Sequence, residues 1–208
     1  MRGQHPIFKT PPLFVFDLNS TITKCELLPF LAAPVGKAEE MAALTEQAMG
    51  ENAGFAQNFA DRVSLLISQP VSRLRRMAAD VPLHTHIVDF ICEARERCLI
   101  VTGNLDAWID SLIERLQMRG RCFCSQALIH NDHIQSISHI LDKRAVAAHL
   151  PHPFIAIGDG DNDLGLFSHA DLSLGFSGAR ALSPRVQAAV DIIFSDEIGL
   201  ASYLRTFL

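Results

Sequence analysis

Residues 14–23, FVFDLNSTIT, join a short apolar run to an aspartate and a turn-rich tail. Residues 14–16 have the β-branched and aromatic character of a buried strand, and Asp17 ends that run. Residues 19–21 are an amide and two hydroxyl side chains, which favour turns. The stretch therefore predicts a strand that leads into a loop, with a carboxylate at its tip.

Two other stretches follow the same plan. Residues 98–101, CLIV, precede Thr102-Gly103-Asn104, and residues 154–157, FIAI, precede the acidic cluster GDGDND at 158–163. Continuous apolar runs of this length are typical of parallel strands covered on both faces. Their alternation with helical segments predicts an α/β fold with a Rossmann-like, open, mostly parallel sheet. Further strands are predicted at 122–128, 172–176 and 191–194, and a polar hairpin or loop at 129–138.

The segment between the first strand and the rest of this sheet is different. Residues 24–80 show helical periodicity and almost no strand signal. We therefore predict an all-helical cap at 24–80, inserted into a catalytic core made of residues 1–23 and 81–208. Other helices are predicted at about 82–97, 107–118, 142–150 and 197–208.

Composition limits the classes of partner. The net charge is −5, with no long basic run, which argues against nucleic acid or an anionic membrane as the main partner. The sequence shows neither a signal peptide nor a transmembrane stretch of about 18 apolar residues. Five cysteines without a C-x-x-C pair predict reduced, structural thiols. We expect a cytoplasmic monomer or homodimer.

The polar clusters after the three strands should meet, because ligands of such sheets bind at the carboxyl ends of the strands. This places Asp17, Thr102, Asp159 and Asp163 together, with Lys143 nearby. Carboxylates in one crevice are tolerated when a hard cation lies between them, and Mg²⁺ prefers carboxylate oxygens. An ammonium group and a hydroxyl suit phosphate oxygens, and an aspartate beside them can be phosphorylated as a nucleophile. Each residue alone has an ordinary structural explanation, whereas their joint occurrence favours this chemistry.

Four stretches then resemble the motifs of a known family. FDLNST at 16–21, LIVTGN at 99–104, the lysine of LDKRAV at 141–146 and FIAIGDGDND at 154–163 are similar to those of the haloacid-dehalogenase superfamily of phosphohydrolases. The resemblance covers nearly the whole chain from Leu13, and phosphoserine phosphatases are the most similar branch. They carry a helical cap after the first motif, as predicted here.

The resemblance implies a role for each matching residue. Asp17 would be the nucleophile and a Mg²⁺ ligand, and Asp159 the second carboxylate ligand. Asp163 would hold metal-bound water or orient neighbouring groups. The backbone carbonyl of Asn19 would complete the metal site. Thr102 and Lys143 would bind the transferring phosphoryl group.

The resemblance also implies a substrate site. Glu26 would bind a substrate amine and Arg62 a substrate carboxylate, and Met49 and Phe55 would be the substrate-binding methionine and phenylalanine of the cap. The remaining substrate-binding candidates lie in the motif loops: Ser20, Gly103, Asn104 and Asn162. These positions favour a small phosphorylated metabolite, most of all an amino-acid phosphate such as phosphoserine.

Asn19 departs from the family pattern, which has a second aspartate there as acid and base. An amide has no transferable proton, so catalysis would fall by roughly 10²- to 10⁴-fold, most for alkyl phosphates. Several explanations remain open: an engineered variant, a slow phosphatase that uses water or another side chain as acid, a phosphotransferase, or a non-catalytic binder of phosphorylated ligands. The prediction is a Mg²⁺-dependent phosphomonoesterase with an aspartyl-phosphate intermediate, weakened by Asn19.

Overall fold

The computed structural model describes residues 8–49 and 55–208, apart from the side chains of residues 46–49 and 55. Within this part of the chain, seven strands form one sheet in the order β4-β3-β2-β1-β5-β6-β7. The strands are β1 Leu13–Phe16, β2 Cys98–Leu105, β3 Cys122–His130, β4 His133–His139, β5 Phe154–Gly158, β6 Leu172–Phe176 and β7 Ile192–Phe194.

The pairing is parallel except between β3 and β4, which form the hairpin predicted around residues 131–132. Strand β1 lies between β2 and β5, with Phe16 opposite Ile100 on one side and Ile157 on the other. The carboxyl ends of the central strands therefore share one edge of the sheet. This arrangement confirms the predicted α/β fold.

Ten α-helices and three short 3₁₀ turns complete the described residues. The helices are α1 Leu27–Ala32, α2 Ala38–Met49, α3 Phe55–Ser64, α4 Val71–Ala79, α5 Thr85–Glu93, α6 Asp106–Arg115, α7 Lys143–Ala147, α8 Leu164–Phe167, α9 Pro184–Ala189 and α10 Glu197–Arg205. The 3₁₀ turns are Ala33–Val35, Arg95–Arg97 and Asp161–Asp163. None of these helices combines the length and hydrophobicity that a membrane span requires.

The sheet is covered on both faces, as the apolar runs predicted. In β1, Phe14 and Phe16 belong to the larger core cluster, whereas Val15 belongs to a second cluster on the opposite face. The Phe14 ring meets Phe90 of α5 edge to face, with ring centroids 4.8 Å apart. Burying a side chain of this size stabilises the fold by about 1.5–3 kcal/mol, so β1 is firmly fixed at the centre.

Helices α1 to α4 form the helical insertion, defined here as residues 27–79, which follows β1 as predicted. Two adjacent backbone segments connect it to the sheet. The Lys24 amide donates to the Pro82 carbonyl at 2.8 Å, and the His84 amide donates to the Ile22 carbonyl at 2.9 Å. This paired connection sets the insertion beside the carboxyl ends of the strands. The boundaries of a separate cap domain, 24–80, stay a prediction.

A second contact joins the insertion to the β3–β4 hairpin. The Asp132 carboxylate accepts hydrogen bonds from the Ser72 amide at 2.9 Å and from the Ser72 hydroxyl at 2.6 Å. The Asp132 carbonyl accepts from the Val71 amide at 2.7 Å. The hairpin turn therefore supplies acceptors for the otherwise unpaired first amides of α4.

Strand β2 extends further than the sequence predicted. Residues 102–104 lie inside the strand and not in a loop after it. The pairing of β2 with β3 shifts register between Val101 and Leu105, and there the Ser125 hydroxyl donates to the Gly103 carbonyl at 2.8 Å. This side-chain hydrogen bond holds extended backbone where the sequence signal indicated a turn.

Candidate active site

Asp17 lies directly after β1, at the carboxyl edge of the sheet. Its amide donates to the Ile157 carbonyl at 2.8 Å, so the parallel pairing of β1 with β5 continues one residue beyond the strand. This pairing fixes Asp17 beside Asp159, which follows β5. Two residues 142 positions apart in the sequence are thus neighbours because their strands are.

Asp163 joins this pair through the 3₁₀ turn at 161–163. One carboxylate oxygen of Asp163 accepts the amide hydrogens of Asp159 at 3.1 Å and Gly160 at 3.0 Å. A Cβ at Gly158 would lie only 2.5 Å from that same oxygen, so glycine at this position leaves the room that the carboxylate needs. All three aspartates are buried, and ligand oxygens from each lie within 4.8 Å of one another.

Lys143 is the buried cation of this group. It occupies the first position of α7, where the Asp142 carboxylate caps the helix by accepting the Arg144 amide at 2.8 Å. The ammonium group contacts Asp17 and lies 2.6 Å from Asp163 Oδ1. Burial by itself lowers the pKa of Lys143, but these two carboxylates outweigh it and raise the pKa above its usual value. The side chain is therefore a fixed positive charge.

The aspartates respond to burial and to each other. Burial raises the pKa of Asp17 to about 7; Lys143 opposes this change and Asp163 adds to it. Burial, followed by the charges of Asp17 and Asp163, raises the pKa of Asp159 to about 8, against the effect of Arg180. Both shifts have the sign expected for carboxylates that are crowded and desolvated. A cation between the carboxylates would instead stabilise their charged forms.

The donor set fits a hard divalent cation. Asp17, Asp159 and Asp163 offer only carboxylate oxygens, which suit Mg²⁺, and they lie close enough to share one ion. No cluster of three or more histidine, cysteine or acidic ligands other than this one occurs in the part of the chain that the structure describes.

A chain of polar side chains runs from the end of β2 to Asn19. Buried Trp108 donates through its indole nitrogen to Asn104 Oδ1 at 3.2 Å. The Asn104 amide nitrogen in turn lies 2.9 Å from the Thr102 hydroxyl and 3.0 Å from Asn19 Oδ1. Asn104 therefore orients both the hydroxyl predicted to bind phosphate and the amide at the unusual position.

Asn19 continues this chain towards the helical insertion. Its amide nitrogen donates to Glu26 Oε2 at 3.0 Å, and its oxygen also accepts the Leu27 amide at 3.4 Å. Glu26 Oε1 lies 3.6 Å from the Arg180 guanidinium, whose Nε donates to Asp159 Oδ2 at 2.6 Å. This series of side-chain contacts thus connects Asn104 with Asp159 along the edge of the site.

Most of the other predicted residues also lie near this edge of the sheet. Ser20 is buried in the loop after Asp17, with a positive φ of 56°, and its amide donates to the Thr23 hydroxyl at 3.1 Å. Arg62 is half-buried in α3, close enough to Glu26 that the carboxylate raises its pKa against the larger lowering effect of burial. Asn162 is exposed in the 3₁₀ turn. The side chains of Met49 and Phe55 lie outside the described residues.

Arg180 was not predicted from the sequence. It follows β6, so it lies after the carboxyl end of a fourth parallel strand. The rule that brought the first three polar clusters together applies equally to this one. The arginine in 177-SGAR-180 was the available signal, since a cation beside an acidic site neutralises it.

Comparison with known proteins identifies the family. Residues 14–168 match the family described as haloacid dehalogenase-like hydrolase. The chain belongs to that family. All four motif stretches named above lie within the matched residues, so the predicted resemblance is confirmed.

The curated relatives are named for the predicted branch, and a solved structure shares the fold. The chain is 27% identical to a phosphoserine phosphatase of Archaeoglobus fulgidus over 93% of the present chain. It is 23% identical to one of Methanocaldococcus jannaschii over 88% of the present chain. It spans 60% of the Archaeoglobus protein and 93% of the Methanocaldococcus protein. A solved phosphoserine phosphatase, described as a phospho-aspartyl intermediate analogue, has the same fold, with a TM-score of 0.79 and 22% identity over 94% of this chain and 99% of that one.

Proposed function

We propose that the protein is a Mg²⁺-dependent phosphomonoesterase that acts on a small phosphorylated metabolite through phosphorylated Asp17. One observation carries the proposal: Asp17 lies at a strand tip, in contact with buried Lys143 and beside Asp159 and Asp163. Phosphoryl transfer depends mainly on positioning and charge neutralisation, and this cluster supplies both. Phosphoserine, for which the relatives are named, is the first ester to assay.

Asp17 is the nucleophile of the first step. A carboxylate oxygen forms a bond to phosphorus while the bond from phosphorus to the leaving oxygen breaks, which gives an acyl phosphate and an alkoxide. Lys143 and the hydroxyl of Thr102 hold the phosphoryl oxygens, since a fixed ammonium and a hydroxyl are suitable donors. A Mg²⁺ ion held by Asp17, Asp159 and Asp163 would supply charge neutralisation for the phosphoryl group.

Water completes the reaction. It attacks phosphorus in the acyl phosphate, the bond to the Asp17 oxygen breaks, and inorganic phosphate and the free carboxylate are released. Asn19 can orient the leaving oxygen or the water by hydrogen bonding but cannot exchange a proton with either. Solvent must therefore protonate the leaving group, and esters with acidic leaving groups react fastest.

The direct test is phosphate release from p-nitrophenyl phosphate with and without Mg²⁺. We expect slow, Mg²⁺-dependent release that falls by more than about 10³-fold in Asp17→Asn, which lacks the nucleophile. Borohydride reduction of acid-quenched protein should convert the acyl phosphate at position 17 to homoserine, detectable by mass spectrometry. Calorimetry should show Mg²⁺ binding that Asp159→Asn abolishes.

Asp161→Asn is the matched control, because Asp161 is exposed in the same loop and is bound by Arg185 at 3.2 Å. It should hydrolyse the ester at the rate of the unchanged protein. Release that is equal in Asp17→Asn would refute the nucleophile. Transfer of the phosphoryl group to an added amino alcohol would instead show a phosphotransferase, and binding without turnover even in Asn19→Asp would show a phospho-ligand binding protein.

A further inference from the structure

The surroundings of Glu26 bear on which leaving groups the site accepts. Glu26 precedes α1 at the start of the helical insertion, and its side chain is 28% exposed. One of its carboxylate oxygens accepts the Asn19 amide at 3.0 Å, and the other lies 3.6 Å from Arg180. Both oxygens of the carboxylate are therefore engaged by side chains of the protein itself.

Arg180 is held in this position by a second, shorter contact. Its Nε donates to Asp159 Oδ2 at 2.6 Å, and Asp159 is almost fully buried. The guanidinium also lies against the backbone of the catalytic loop, where a Cβ at Gly160 would be 2.9 Å from Nη2. An arginine with a planar fork and several donors can bridge two carboxylates in a way that a lysine cannot. Arg180 is thus fixed between the buried loop and Glu26.

A second guanidinium, that of Arg62 in the helical insertion, interacts electrostatically with Glu26. Half-buried Arg62 is within electrostatic range of the carboxylate, and its Nε has no hydrogen-bond partner among the described residues. Arg62 thus adds a second permanent positive charge near Glu26, beside Arg180, which also contacts Asp159. A ligand ammonium placed at Glu26 would displace Arg180 or lie beside it, and like charges this close repel.

We propose that Arg180, together with Arg62, makes Glu26 unavailable to a ligand ammonium, so that the site selects phosphomonoesters whose leaving group carries no positive charge. This inference rests on the proposed function and narrows its substrate class. It differs from the amine-binding role that the resemblance implied for Glu26. Arg180 is a specificity-determining residue in this account, and it acts through Glu26.

Two matched ligand pairs differ only in the amine. The non-hydrolysable pair is 2-amino-4-phosphonobutanoate and 4-phosphonobutanoate, and the ester pair is O-phosphoserine and 3-phosphonooxypropanoate. Calorimetry with Mg²⁺ gives a ratio of two Kd values within one variant, which cancels any general loss of metal or phosphate affinity. We expect the unchanged protein to bind the amine-free phosphonate at least about tenfold more tightly, which corresponds to about 1.4 kcal/mol.

Arg180→Gln should bring that ratio close to one, because it frees Glu26 to pair with the ammonium. Arg185→Gln is the matched control, an exposed arginine a few residues further along the chain, and it should keep the ratio of the unchanged protein. Tighter binding of the amino phosphonate by the unchanged protein would overturn the proposal. So would a Kd ratio in Arg180→Gln that equals the ratio of the unchanged protein. The ratio in the unchanged protein is decisive by itself if Arg180→Gln does not fold.

The ester pair separates this inference from the proposed function. Phosphate release that favours O-phosphoserine would reject the substrate class while supporting the phosphatase. Release from neither ester nor from p-nitrophenyl phosphate, with the phosphonate ratio as expected, would reject the phosphatase while supporting the selectivity of the site. Faster release from 3-phosphonooxypropanoate would support both.

Discussion

Asn19→Asp should turn a slow site into a fast one for alkyl phosphates. In the structure, the Asn19 amide nitrogen lies 3.0 Å from Glu26 Oε2, so the substitution would place a second carboxyl oxygen against that carboxylate. Two unit charges about 4 Å apart interact by about 4 kcal/mol at an effective dielectric constant of about 20. Solvent at the partly exposed Glu26 and the guanidinium of Arg180 reduce this value, and the two carboxyl groups should share one proton.

The shared proton allows the carboxyl group introduced at position 19 to act as a general acid. Repulsion from Glu26 raises the pKa of the new carboxyl group above its usual value, which brings it closer to that of a general acid near neutral pH. General acid catalysis then accelerates departure of a basic alkoxide by roughly 10²- to 10⁴-fold. A p-nitrophenolate needs little protonation, so its release should change far less.

The assay compares kcat for glycerol 2-phosphate and p-nitrophenyl phosphate in both proteins. We expect the alkyl-to-aryl ratio to rise by at least about 100-fold in Asn19→Asp. Asn131→Asp, in the hairpin turn far along the chain, introduces the same charge and should leave the ratio unchanged. An alkyl-to-aryl ratio that stays constant in Asn19→Asp would refute the reasoning, because it would show that protonation of the leaving group is not limiting.

Three other regions of the fold give measurable expectations. Burial lowers the pKa of His84, so the unfolded state takes up a proton at this position more readily, and the contribution of His84 to stability falls as the pH drops from about 7.5 to 5. The Tm of the unchanged protein minus that of His84→Gln should therefore decrease over this range, and a difference that does not depend on pH would contradict this. Gly158→Ala puts a Cβ 2.5 Å from Asp163 Oδ2, so urea denaturation should show a free energy of unfolding lower by about 1–3 kcal/mol. Calorimetry should show weaker Mg²⁺ binding, whereas unchanged values would show that the carboxylate moves freely. Asp132→Ala removes both carboxylate contacts to Ser72 and should lower Tm more than Asp132→Asn, which keeps one acceptor oxygen; equal Tm values would argue against the contact.

The convergence of the acidic residues at one edge of the sheet could be predicted because each decisive stretch is local. Residues 14–17 carry both the apolar run and the carboxylate that ends it, and residues 154–159 repeat this pattern. The general rule that parallel strands present their carboxyl ends at one edge then brings Asp17 and Asp159 together. The structure places them within 4.8 Å, in one group with Asp163.

The extent of β2 could not be predicted in the same way. Thr102-Gly103-Asn104 has the composition of a turn, and local propensity favours ending the strand at Val101. A hydroxyl 22 residues away, on Ser125, instead holds the Gly103 carbonyl and keeps the backbone extended. The local preference of these residues for a turn is outweighed by a tertiary hydrogen bond in a buried strand.

By itself, the sequence determined the sheet, the helical insertion and the acidic cluster, because each follows from periodicity or from residues adjacent to a strand end. Only the tertiary structure decided the environment of Glu26, where Asn19 from one loop and Arg180 from another engage both carboxylate oxygens. The physical reason is the range of the interactions. Apolar patterning acts over a few neighbouring residues, whereas the charge felt by one carboxylate depends on every group that folding brings near it.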